Sequence, residues 1–250
     1  MASNAVSELL DGSQWVILGK VRKLGASTMP EAPASSNTAV VRVSEVLHGP
    51  PPFADYVGRD ITVVSQDLKG MKVGSSAVFF TRSWLYGQSV AVIEVGRLSS
   101  ANPDKMAADI KSAEQANFER RLGERLAAAA VVIVGAVADI RQGPEPRQRV
   151  ETEHAPEWAE AVVKVHDVLK GKAPDQGIAV LFPTSLDELW IDSPKFAPGQ
   201  TGVLILQRNQ QEKGWPVLRV PGLTALDPLD VQPVEMSDAI RKIIASEGAK

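Results

Sequence analysis

The chain has 250 residues, 44% of them hydrophobic and 23% charged, with a net charge of −3 and no cysteine. A length of this order suits one large domain or two of about 100–120 residues. The missing thiols exclude disulfides, thiolate catalysis and Cys-ligated zinc or iron–sulfur centres, and the mildly acidic balance offers no global field toward nucleic acid or anionic lipid.

Residues 3–11 place Val6, Leu9 and Leu10 on one helical face, with Gly12 as a stop. Residues 14–24 (QWVILGKVRKL) read as a strand, with Gly19 at a bulge or a tight barrel bend. The Ala-, Ser- and Pro-rich stretch 25–37 reads as a mobile loop. The next strand, 38–48, alternates apolar and polar residues, and Pro50-Pro51-Pro52 after it predicts an extended connection. Strands follow at 60–65, 76–83 and 89–98, the last reached through Tyr86-Gly87. Pro103 opens a helical region carrying two apolar stripes, Met106–Ile110–Ala113 and Phe118–Leu122–Leu126. The stripes are out of phase, which predicts a bend or break near 114–117. Arg120, Arg121 and Arg125, interleaved with Glu119 and Glu124, read as a solvated, salt-laced face.

The chain then repeats itself. Ala39-Val40-Val41-Arg42-Val43-Ser44-Glu45-Val46-Leu47-His48-Gly49 has a counterpart in Ala161-Val162-Val163-Lys164-Val165-His166-Asp167-Val168-Leu169-Lys170-Gly171. Residues 130–140 (AVVIVGAVADI) echo the first strand, with Gly135 for Gly19. A polar loop at 141–157 again precedes the alternating strand. Ile178–Leu181, Pro198-Gly199, 201–207 and Trp215–Leu223 follow in the order of the first copy, and Met236, Ile240 and Ile243 close it with a helix. The fold expected is mainly β with flanking helices: two tandem five-stranded OB-like β-barrels, 1–116 and 117–250, joined by a helical segment. The copies differ most at Pro183–Ala197, a longer insertion where the first copy has only the turn Asp67–Gly70.

The pattern G-x-V in the first strand, V-x-V-x-x-V-L-K/H-G in the second, and a Gly-led aliphatic or aromatic fourth strand resembles the tissue-inhibitor-of-metalloproteinase and netrin-like type of domain found in many bacterial proteins. The resemblance spans 13–98 and 130–223. Animal members of that type inhibit metalloproteases through an N-terminal Cys that chelates zinc. This chain has no Cys and opens with a helix, so the resemblance implies the strand framework and not that activity.

No P-loop, G-x-S-x-G, H-E-x-x-H or G-x-G-x-x-G motif occurs. The histidines, His48, His154 and His166, have no ligand spacing. Glu151/Glu153 and Asp187/Glu188 sit in predicted loops and read as solvated charge. Aromatics are 5% of the residues, too few for stacking platforms along a single strand. The expectation is a non-enzymatic binding or structural module that contacts another protein, with no cofactor, metal, nucleic acid or membrane; the alternatives are a single-strand nucleic-acid binder and an enzyme with an unrecognised site. No signal peptide or membrane span is legible, so the default compartment is the cytoplasm, or outside if a leader preceded this sequence. The expected contact residues are Asp187, Glu188, Leu189, Trp190 and Ile191, with Leu186 and Asp192 beside them. Trp190 is read either as the anchor on a partner or as a cap on its own barrel.

Overall fold

The computed structural model describes residues 2–87, 89–99, 102–143, 157–174, 177–187, 189–208 and 222–247. It divides into two units, Met1–Glu119 and Arg120–Lys250.

In the first unit, helix α1 (Ala2–Asp11) precedes strands β1 (Trp15–Leu24), β2 (Thr38–His48), β3 (Asp60–Val64), β4 (Ser76–Tyr86) and β5 (Val90–Ser99). The strands close a barrel in the order β1-β2-β3-β5-β4, with β3 and β5 parallel and every other pair antiparallel. Alternation sends Ile17, Val41, Val43, Ile61, Val63, Phe79, Val90 and Val92 inward, where they form one core. The opposite face of β1 and β4 presents Val16, Val78 and Phe80 to Val6 and Leu10 of α1 and to Ile110 and Ala113 of helix α2 (Pro103–Ala128). Gly19 lies at a register shift between β1 and β2, and a Cβ there would stand 2.4 Å from Val41 Cγ1. The strands therefore approach too closely for any side chain at that position.

Three expectations are corrected. Pro50 alone is extended (φ −59°, ψ 148°); Pro51 and Pro52 begin a 3-10 helix, Pro51–Tyr56, because a proline ring suits the first helical turn. That helix drives Phe53 into the barrel end, where its ring stacks on Trp15 at 4.6 Å. The segment 25–37 is packed, not loose: Met29 and Ala32 are buried, and Thr62 Oγ1 accepts the Thr28 N–H at 2.8 Å and contacts the Ser27 and Thr28 hydroxyls. Helix α2 runs unbroken through 114–117. Its stripes are out of phase because they serve different units, Ile110 and Ala113 the first and Leu122 and Leu126, both buried, the second.

In the second unit, β6 (Val131–Gln142), β7 (Trp158–Lys170), β8 (Ile178–Pro183), β9 (Thr201–Arg208), β10 (Leu223–Thr224) and β11 (Val231–Gln232) precede helix α3 (Ser237–Glu247). They form a six-stranded sheet, β10-β8-β7-β6-β9-β11, in which β10 also pairs with β9. In the second unit the pairings β10-β8-β7-β6-β9 return to β10, and β11 adds a further short strand on β9. The strand expected at Trp215–Leu223 lies outside the described residues except at Gly222 and at Leu223, which begins β10. The ladders of the two units nevertheless share their registers. Val16↔His48, Gly19↔Val43 and Val21↔Val41 correspond to Val132↔Lys170, Gly135↔Val165 and Val137↔Val163, with shifts at the same three places. Both units also pair one strand in parallel, β3 with β5 and β8 with β10.

Arg125 is not part of a solvated face. Its guanidinium donates in bidentate fashion to Asp230, at 2.6 and 2.7 Å from Nη2 and 3.0 Å from Nε, and Asp230 is fully buried. Asp230 also accepts the N–H groups of Leu226 and Asp227. Burial pushes this carboxyl above its usual range, against the pull of Arg125. The exposed pair on α2 is Arg120–Glu124, at 2.9 Å.

Candidate functional site

The insertion between β8 and β9 is fastened to its own unit at both ends. Thr184 donates through N–H and hydroxyl to the Glu157 carbonyl, at 2.9 and 3.1 Å. Asp187 nucleates a turn: its Oδ1 accepts from Leu189 N–H at 3.0 Å, and its carbonyl accepts from Trp190 and Ile191, each at 2.8 Å. A short polar side chain bonding the backbone two residues on is what Asp supplies in such turns. The turn points Trp190 inward. Its ring meets Trp158 edge-on at 5.7 Å, with Leu181 and Leu226 completing a small cluster. The Trp190 carbonyl accepts Lys195 Nζ at 2.7 Å and Ser193 N–H at 3.0 Å, and burial lowers the Lys195 ammonium below the usual lysine range. Phe196 then packs edge-on against Phe182 at 5.0 Å, beneath the returning chain.

With Trp190 inside, the apolar residues left on the surface are Leu186 at 74% exposure, Leu189 at 45% and Ile191 at 57%; Trp190 itself is at 8%. Asp192 is exposed and Asp187 half-buried, so acidic groups flank the apolar ones. Glu188 lies outside the described residues. Of the expected contact residues, the structure therefore brings Leu189 and Ile191 to the surface beside Leu186 and Asp192, while Trp190 is occupied within its own unit.

The histidines belong to separate places. His48 pairs with Glu114 on α2, His166 is exposed on β7, and His154, like Glu151 and Glu153, lies outside the described residues. Among the described residues, no three His, Asp or Glu side chains gather as a metal ion would require, and no helix is long and apolar enough to cross a membrane.

The sequence reading missed the Arg125–Asp230 pair, although Asp227-Pro228-Leu229-Asp230 carried a signal for it. Asp227 caps the 3-10 turn Pro228–Asp230, with its side chain accepting Leu229 N–H and Asp230 reaching back in a capping box. This pair fixes the fold of its unit and bears no reactive geometry. Compared with known proteins, the chain matches no family model and no curated protein sequence.

Proposed function

We propose that this chain is a non-enzymatic module that works through protein–protein contacts, as a subunit of a larger assembly, with residues 184–197 as its contact surface. The carrying observation is the division of labour in that insertion. Trp190 and Phe196 clamp it to the sheet, and Leu186, Leu189 and Ile191 face out. A clamped loop loses little conformational freedom when it binds, which favours affinity. Exposed apolar residues gathered on one short loop are unusual on a surface that meets only water. The acidic border favours a partner offering an apolar recess edged with basic groups.

In this reading both units descend from one duplicated OB-like barrel of the tissue-inhibitor and netrin-like type. The shared registers, and the contacts of β10 with both β8 and β9, support it. The insertion is then an addition that the framework does not need, since the first unit makes the same connection with the shorter segment 65–75 against 184–200.

The test is site-specific photocrosslinking in the native host, with p-benzoylphenylalanine at Leu189 and, as control, at exposed Lys164 on β7. A discrete adduct from position 189, lost on Leu186→Ser plus Ile191→Ser, is the expected result. Equal adducts from both positions, or none from 189, would overturn the reading.

A further inference from the structure

The outer face of the first unit's barrel gathers positive charge that the fold itself does not require. Lys20, Arg22 and Lys23 are all exposed on β1. The register shift between Val21 and Lys23 leaves both Arg22 and Lys23 outside, although they are consecutive. Lys20 stands opposite Arg42 on β2 and Ser76 on β4, and Arg42 stands opposite Asp60 on β3. Exposed Lys72 sits on the turn that brackets Val21: Val21 N–H donates to Ser75 at 2.9 Å, and Gly74 N–H donates to Val21 at 2.8 Å.

Among the described residues paired in these ladders with the cations, Asp60 is the one acid. Asp60 accepts from Arg42 Nε at 2.7 Å and also feels the charges of Arg22 and Lys23. Glu45, opposite Leu18, is the next acid along β2. Among the described residues, Lys20, Arg22, Lys23 and Lys72 have no ion-pair partner.

The second unit supplies the control. Its ladder repeats the same pairings, with Ala136 opposite Lys164 and Thr201 as Lys20 is opposite Arg42 and Ser76. Its bracketing turn is also the same, with Val137 N–H to Gln200 at 2.9 Å and Gly199 N–H to Val137 at 2.8 Å. At the positions of Lys20, Arg22, Lys23 and Lys72 it carries Ala136, Ala138, Asp139 and Ala197. The strands and the bulge therefore form without the cations.

We propose that the outer β1–β2 face of the first unit binds a linear polyanion through its phosphate groups. Neighbouring strands lie about 4.8 Å apart and alternate residues along a strand about 6.6 Å apart, so the cations form a close grid. Exposed Ser76, opposite Lys20, adds a hydroxyl donor beside them. Among the described residues, the ladder partners of these cations, Val40, Arg42, Asp60 and Ser76, include no aromatic to stack a base. The ligand is held by its charged backbone, without sequence preference. A nucleic-acid strand and inorganic polyphosphate share this chemistry.

The experiment uses the full chain and fluorescence anisotropy, with an oligothymidylate of about 20 nucleotides, inorganic polyphosphate of similar length as competitor and as direct ligand, and poly-L-glutamate as control. If five cations contact phosphate, affinity should fall about a hundredfold between 50 and 200 mM NaCl. The variant Lys20→Ala, Arg22→Ala, Lys23→Asp, Lys72→Ala copies the second unit and should bind at least tenfold more weakly, with an unchanged melting temperature. Binding of the oligothymidylate alone, of polyphosphate alone or of both supports the proposal and names the source. Binding of neither, equal binding of poly-L-glutamate, or a folded variant that binds as before overturns it. Should the quadruple variant fail to fold, Arg22→Glu alone must weaken binding at least threefold, and an unchanged affinity overturns the proposal.

Discussion

Two glycines in the second unit share a backbone conformation and differ in their surroundings. Gly171 has φ +79° and Gly199 has φ +86°. Alanine at either site must enter the left-handed region, at about 1–2 kcal/mol. At Gly199 no atom lies within 4 Å of a new Cβ, so Gly199→Ala should cost about that much and no more. At Gly171 the Cβ would stand 2.3 Å from the Ala130 carbonyl oxygen and 3.3 Å from the Val131 Cα, both main chain. This backbone cannot retreat freely, because Ala130 N–H donates to Leu206 at 2.9 Å and Val131 pairs with the same residue. Overpacking against a fixed neighbour adds about 1–3 kcal/mol. Gly171→Ala should therefore cost about 2–5 kcal/mol in total, against about 1–2 for Gly199→Ala. Urea unfolding of the full chain, followed by tryptophan fluorescence, measures both as midpoint shifts at constant slope. Equal shifts, or a larger one for Gly199→Ala, would show that the approach of Gly171 to the start of β6 is not a constraint.

Val163 is fully buried and Lys164 exposed, so Val163→Asp should cost several kcal/mol while Lys164→Asp stays within about 0.5, read as melting temperatures. Burial pushes the Glu94 carboxyl above its usual range, against the pull of Ser65 and Arg97. The folded chain therefore binds this proton more tightly than the unfolded one. The resulting stabilisation is complete below the unfolded value of about 4.3 and is lost as pH rises through the raised folded value. Glu94→Gln should flatten that part of the stability–pH curve, and a curve identical to that of the parent chain would refute the direction.

The alternating strands were legible because burial on one side imposes a period of two. Val41 and Val43 are buried and Arg42 is exposed, as the pattern of 38–48 requires. Gly19 and Gly135 were legible as special positions for a related reason: a glycine inside an apolar strand marks a close approach, and each meets a valine of the neighbouring strand. The apolar character of the insertion at 183–197 was equally plain, since four large apolar residues fall within six positions.

What the sequence could not decide was which of those four turn inward. Trp190 is buried because Trp158, on another strand, offers a ring edge at the right place, and Asp187 sets the turn that aims it there. Both facts depend on residues brought together only by the sheet. The same holds for Arg125, read as one of several helix-surface charges. Its partner Asp230 lies more than a hundred residues away and is buried. Helix α2 carries the clearest case. Its two apolar stripes looked like a break because a helix pattern assumes one core, and only the division into two units explains why an unbroken helix shifts phase along its length. Local pattern fixed the strands and the special glycines, because those follow from period and steric contact within a few residues. Partners across the sheet, and the choice of which apolar residue faces water, were set by long-range packing, which spacing along the chain does not encode.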